Sequence, residues 1–327
     1  MKLYLAPLEG ITGYVYRQAY HACYEDADKY FTPFLAPHTK RSFNARERND
    51  LIPEHNAGMY TVPQVLSKSG EDVAAIAEEL KAFGYQEINI NAGCPSGTVV
   101  SKGRGAGLLD DERALLHFLD EMFEKTDAEI SIKTRLGMEY PDEFEGILKI
   151  YNRFPIKELI LHPRVREDYY KNKPDWTMVE YALEYSSNPL VYNGDIFTVE
   201  DYERFTERFP TIDAIMLGRG VIRDPALIEK IRSGSTIDRA VELKRLYTFH
   251  NKLVAGYQKE MSGEKNVLFK MKELWFYLGT QFTGIEKPLK KIKKANSLIE
   301  YQAAVSAIFS TGAGTVSYTH LRAHETR

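Results

Sequence analysis

Short apolar runs recur along residues 1–235, each closed by a polar residue, a glycine or a proline and followed by a stretch of helical periodicity. Strands are expected over 2–6, 30–35, 60–66, 87–91, 129–136, 158–162, 189–193 and 212–217, and helices over 14–23, 71–83, 110–124 and 199–209, with Thr12 capping the first helix. About eight strands alternating with helices fit a closed (β/α)8 TIM barrel, an α/β fold whose functional groups gather at the C-terminal strand ends. A doubly wound sheet is the competitor, but its dinucleotide fingerprint is missing after the first strand.

The polar residues at those strand ends converge if the barrel closes: Gln64, Asn91 with Cys94, Lys133, His162 and Asn193. The stretch 87–109 is the most informative. Ile88 and Ile90 fall on one strand face, Asn89 and Asn91 on the other. Ala92-Gly93-Cys94-Pro95 then breaks the strand, and a glycine-rich loop with Lys102 and Arg104 follows. In the fifth expected strand Ile130 and Ile132 face one way, while Ser131, Lys133 and Arg135 face the other. A lysine inside a barrel is costly unless a partner holds its charge. Asn193-Gly194-Asp195 and Gly218-Arg219-Gly220 follow the last two strands, where barrels commonly bind phosphate on backbone N–H groups; Arg219 would add a charge-assisted bond. A cofactor phosphate fits better than a small substrate's, because an inward lysine and glutamine await a polar ring.

Composition shifts at Ser233-Gly234-Ser235. Residues 1–235 form the expected barrel domain, 236–310 a small all-helical domain, and 311–327 a polar, aperiodic tail set aside from fold reasoning together with His320 and His324. The helical part carries the most basic run, Lys287-Pro288-Leu289-Lys290-Lys291-Ile292-Lys293-Lys294. A second cationic run, with Lys40, Arg41, Arg46 and Arg48 in residues 37–49, reads as a solvated loop. Net charge is −3 with a pI near 6.3, so any nucleic-acid contact must come from such local patches. The two cysteines, Cys23 and Cys94, exclude a disulfide framework and a cysteine-rich zinc site, and no metal is expected. No secretory leader or membrane-length apolar run is read, so a cytoplasmic location and no membrane partner are expected.

Five blocks together resemble the tRNA-dihydrouridine synthase family: 6–12 (Ala-Pro-Leu-Glu-Gly-Ile-Thr), 89–95 (Asn-Ile-Asn-Ala-Gly-Cys-Pro), 133–137 (Lys-Thr-Arg-Leu-Gly), 193–196 (Asn-Gly-Asp-Ile) and 216–220 (Met-Leu-Gly-Arg-Gly). They run in family order, and the helical remainder is similar to the family's RNA-binding domain. Leu8 stands where the family usually has Met. Pro163 stands where a Gly is common, which removes one backbone donor.

The resemblance implies flavin mononucleotide (FMN), NADPH as electron donor, and reduction of the uridine C5=C6 bond in tRNA or another structured RNA; a monomer is expected. It implies Cys94 as proton donor. Ala6, Pro7, Leu8, Gln64, Lys133, His162, Asn193, Gly194, Asp195, Gly218 and Arg219 would hold the cofactor, and Asn91, Lys102, Arg104 and Arg135 the substrate. Three rivals share some of these residues: an FMN barrel reductase of a small pyrimidine or enone, a Schiff-base aldolase using Lys133, and a non-catalytic RNA-binding module.

Overall fold

Alternation along the strands sorts side chains between the barrel interior and the helical jacket. The computed structural model describes residues 1–38 and 43–310; Lys40, Arg41 and the 311–327 tail lie outside the described residues. The barrel is built from β1 (Lys2–Leu5), α1 (Tyr14–His21), β2 (Lys29–Phe31), α2 (Ala45–Leu51), β3 (Thr61–Val62), β4 (Gln64–Val65), α3 (Gly70–Lys81), β5 (Glu87–Ala92), α4 (Gly97–Val100) and α5 (Glu112–Lys125). It continues through β6 (Glu129–Thr134), α6 (Glu143–Tyr151), β7 (Glu158–Leu161), α7 (Trp176–Tyr185), β8 (Leu190–Tyr192), α8 (Val199–Arg208), β9 (Ala214–Leu217), α9 (Arg219–Arg223) and α10 (Leu227–Ser233). Helices α11 (Arg239–Glu260), α12 (Glu264–Leu278), α13 (Glu286–Lys294) and α14 (Leu298–Ser310) follow.

All paired strands are parallel, in the order β3-β2-β1-β9-β8-β7-β6-β5-β4. The two ends of this order are halves of one expected strand, split at Pro63, which has no N–H to give to a ladder. The ring closes across that seam. Thr32 N donates to Val62 O, Leu35 N to Gln64 O, and Asn89 N to Pro63 O at 2.9 Å. Nine short segments thus make the eight-stranded barrel.

Ile88, Ile90, Ile130 and Ile132 pack outward under the helices, as the alternation predicts. Inside, Tyr4, Phe31, Val62, Ile160, Val191 and Met216 form an apolar plug. Its N-terminal end is sealed by charge: Lys29 Nζ lies 2.9 Å from both Glu87 and Glu158, and Tyr4 Oη donates to Glu158 at 2.7 Å.

Two local expectations are corrected. Thr12 does not cap α1; its hydroxyl closes the preceding turn, accepting from Leu8 N at 2.8 Å. The Tyr14 N–H instead meets Asp50 Oδ1 at 2.5 Å, so the first turn of α1 is capped from α2. The part of the cationic run that carries Arg46 and Arg48 is that helix, opened by a capping box between Asn44 and Glu47, with Glu47 and Asp50 buried. Asp50 also holds the fully buried Arg17, which reaches Asn56 as well.

Candidate active site

At the C-terminal strand ends a cleft of about 310 Å³ is lined by Gln64, Asn91, Cys94, Lys133, Arg135, His162 and Tyr170. A smaller hollow of about 60 Å³ adjoins it, sharing Pro7, Leu8, Lys133, His162 and Tyr170 and ending among Asn193, Gly194, Asp195, Gly218 and Arg219, with Ala6 at its wall. The barrel therefore brings together Cys94 and every residue expected to hold a cofactor. A larger hollow, about 1080 Å³, opens between α13 and α14, but its lysine and alanine lining carries no thiol, histidine or buried amide. Chemistry belongs to the barrel mouth.

A row of amides positions Cys94. Asn91 Oδ1 accepts the N–H groups of Gly93 at 3.2 Å and Cys94 at 2.9 Å. Asn91 Nδ2 donates to Gln64 Oε1 at 2.8 Å, Gln64 Nε2 to Asn89 Oδ1 at 2.8 Å, and Asn89 Nδ2 to Ser131 Oγ at 3.0 Å. The second Nε2 hydrogen of Gln64 is left for a group in the cleft. Burial pushes the Cys94 thiol up from its ordinary range, against smaller opposing effects of the Ser96 backbone N–H, Arg135 and Lys133. At neutral pH the thiol keeps its proton.

The glycine-rich segment beyond Cys94 is fastened down rather than free. Ala106 N donates to Cys94 O at 3.0 Å. A Cβ at Gly105 would come within 2.8 Å of that oxygen, so only glycine lets the two backbones meet. Lys102 and Arg104 sit in this segment, outside the lining of the cleft.

Lys133 is half-buried at the barrel mouth, lines both hollows and makes no ion pair among the described residues. Burial, reinforced by Arg135, lowers its pKa to about 7. No carboxylate among the described residues is the partner that would hold its charge. Arg135 is spent differently: Nε donates to Gly93 O at 2.9 Å, Nη1 to Val165 O at 2.8 Å and Nη2 to Tyr169 O at 2.9 Å. It clamps the Cys94 turn to the loop after β7. Tyr169, with φ of 49°, is held there in a left-handed conformation, which non-glycine residues seldom adopt. The next residue, Tyr170, lays its ring 4.2 Å from the Arg219 guanidinium.

His162 is kept neutral chiefly by burial, helped by the surrounding cations. Its Nε2 lies 3.0 Å from Arg164 Nη1, which can only donate, so the ring proton sits on Nδ1. Arg164 also pairs with Asp195 through two bonds, and Arg219 Nη2 reaches the same carboxylate at 2.7 Å. Gly194 is required here, because a Cβ would lie 1.9 Å from Tyr192 Oη. Asn193 Nδ2 donates to Met216 O at 2.8 Å, tying the first glycine loop to β9.

The sequence reading missed four contributors. Arg164 and Tyr170 lie in a loop without periodicity. Glu273 and Tyr277 come from α12 and line the same cleft as Cys94. Lys270, one turn before Glu273, bonds to it and to the Gly10 carbonyl.

Lys133, without an ion pair among the described residues, and the spare donor of Gln64 line the same cleft and fit a flat ring rich in carbonyl and ring-nitrogen acceptors. The Arg219 hollow fits a phosphate at the ring's far end.

The family described as dihydrouridine synthase (Dus) matches residues 4–308. A probable tRNA-dihydrouridine synthase of Helicobacter pylori is 27% identical over 309 residues, covering 91% of this chain and 90% of that protein. A tRNA-dihydrouridine(16) synthase of Cupriavidus necator is 30% identical over 276 residues, covering 78% and 82%. Among solved structures, morphinone reductase in complex with tetrahydroNAD superimposes with a TM-score of 0.51 at 14% identity, over 72% of this chain and 88% of that one. The old yellow enzyme homologue from Zymomonas mobilis gives 0.52 at 12% identity, over 72% and 89%. Those two likenesses confirm the barrel. The match over nearly the whole sequence, helical part included, goes further, and the chain belongs to the dihydrouridine synthase family.

Proposed function

We propose that this chain reduces the C5=C6 bond of uridine in tRNA to 5,6-dihydrouridine, with FMN as resident cofactor, NADPH as electron source and Cys94 as proton donor. The observation that carries the proposal is the turn of Cys94, fixed by Asn91, at a cleft that Lys133 also lines without an ion pair among the described residues.

Gln64 and Lys133 would hold the polar edge of the flavin ring, with Ala6, Pro7 and Leu8 packing beside it. Asn193, Gly194, Gly218 and Arg219 would hold its phosphate, Arg219 exchanging part of its contact with Asp195 for the ligand. His162 offers its Nδ1–H between the two subsites. When bound, the flavin supplies the two electrons as hydride to C6 of the base.

The chain's own part is the proton. Cys94 Sγ–H delivers it to C5, so the base gains two hydrogens and the sulfur is left as thiolate. Lys133, Arg135 and the Ser96 N–H, each of which favours the charged sulfur, stabilise it until solvent returns the proton. Asn91 holds the backbone of the turn and so sets where the sulfur stands. Arg135 acts through its clamp on Gly93 rather than by a free guanidinium. Lys102 and Arg104 would meet RNA phosphates at the rim. A base buried this deep must leave its stack to reach the sulfur.

The test is direct. Purified protein, NADPH and unmodified tRNA should yield dihydrouridine, read by mass spectrometry as the gain of two hydrogens at a uridine. NADPH oxidation with no dihydrouridine in tRNA from a strain lacking the gene would overturn the proposal.

A further inference from the structure

Helix α12 has three faces. Val267, Leu268, Met271, Leu274, Trp275 and Leu278 are buried. Lys270, Glu273 and Tyr277 turn toward the barrel mouth, where the last two line the cleft. Beyond that edge runs a stripe at helical spacing, the exposed Lys265, Phe269 and Phe276 with the half-buried Lys272 among them. Phe269 is 75% exposed and Phe276 44%. A phenylalanine this open does nothing for the core.

The stripe is bounded on both sides by groups suited to RNA. On the cleft side, the Phe276 ring stands edge-on to Tyr277, with centroids 5.2 Å apart. On the other side, Lys272 Nζ donates to Ala295 O at 2.6 Å. Ala295 is the C-cap of α13, whose last turn carries Lys291, Lys293 and Lys294. Passing round α12 from the catalytic cleft, one meets two aromatic rings and then a bank of ammonium groups. The rings are seven residues apart, about 10.5 Å along the axis.

We propose that Phe269 and Phe276 form a stacking platform for unpaired bases next to the target uridine, with the α13 lysines holding the phosphates that join them. Pulling one base into the cleft unstacks its neighbours, and exposed aromatic rings beside lysines are the surface that re-stacks such bases without reading their identity. The inference rests on tRNA being the substrate.

Each of Phe269→Ala and Phe276→Ala should weaken binding of unmodified tRNA roughly fivefold to a hundredfold, the range for losing one stacked base. The slope of log affinity against log salt should stay that of wild type, since no phosphate contact is lost. Lys291→Ala with Lys294→Ala should lower that slope. Phe269→Trp should retain binding, which separates stacking from damage to the helix. A wild-type chain that binds tRNA while Phe269→Ala combined with Phe276→Ala binds equally well overturns the platform alone. So does a salt slope that falls with the rings. A wild-type chain that binds no tRNA overturns the platform and the function together.

Discussion

Asn91 Oδ1 accepts the backbone N–H of Cys94 at 2.9 Å, and this bond sets the direction of the amides behind it. Because that oxygen must accept, Asn91 Nδ2 must donate to Gln64, and Gln64 must in turn donate to Asn89. Cys94 and Gln64, proposed as proton donor and ring-binding amide, are therefore held by one row of hydrogen bonds. Asn91→Ala leaves two N–H groups without their acceptor and should cost about 1–3 kcal/mol of stability, read from urea unfolding. Asn91→Asp keeps both acceptances but loses the donor to Gln64, so it should fold better than the alanine variant yet bind flavin less well. Equal flavin affinity in Asn91→Asp and wild type would uncouple Gln64 from the row.

Cys94→Ala tests the acid. Flavin content and reduction by NADPH should persist, because neither step uses the thiol. Transfer to uridine should fall by roughly a hundredfold to ten-thousandfold in single-turnover assays with pre-reduced enzyme. Cys94→Ser should be similarly slow, a hydroxyl being far less acidic. Wild-type rates in Cys94→Ala would leave the thiol as packing.

Lys133 makes a prediction about pH. Its folded pKa, about 7, lies below the ordinary 10.5. Below pH 7 folded and unfolded chains both carry the charge, and the cost of burying it stands in full. Between pH 7 and 10.5 the unfolded chain binds the extra proton, so this residue makes stability of the flavin-free protein rise with pH. Lys133→Met should be more stable than wild type at pH 6, and the rise across pH 7 to 10 should flatten. Parallel stability curves for the two proteins would contradict the lowered pKa of Lys133.

Arg219→Ala removes the guanidinium that stacks on Tyr170 and reaches Asp195. The Arg164–Asp195 pair remains, so the fold should hold. Flavin retention through gel filtration should drop roughly tenfold to a hundredfold in affinity, the range for a charge-assisted bond to phosphate. Unchanged flavin content would move the phosphate elsewhere.

Much of the site was legible because a barrel converts strand ends into a single surface. Gln64, Asn91, Cys94, Lys133, His162 and Asn193 needed only correct strand endings to be brought together. What escaped was of three kinds. Arg135 read as a free cation at a strand end; its engagement with Val165 and Tyr169 depends on a loop whose path no periodicity reports. Glu273 and Tyr277 sit inside an ordinary amphipathic pattern, which tells a buried face from an open one but not which open face borders a cavity. Helix α2 was lost in a run of mixed charge, although Asn44 and Glu47 carry the spacing of a capping box. Membership of the family sets aside the aldolase and the small-molecule reductase, both of which the strand ends alone would have allowed.

Because α12 supplies part of the cleft wall through Glu273 and Tyr277, the chain is not a catalyst with a detachable handle. Grafting the helical segment of one relative onto the barrel of another would transplant two residues of the reaction chamber with it. A barrel expressed without that segment would have a chamber open along one side. Exchanges meant to redirect the enzyme to another uridine therefore alter the chemistry's enclosure at the same stroke, and variants should be sought along α12 before whole modules are swapped.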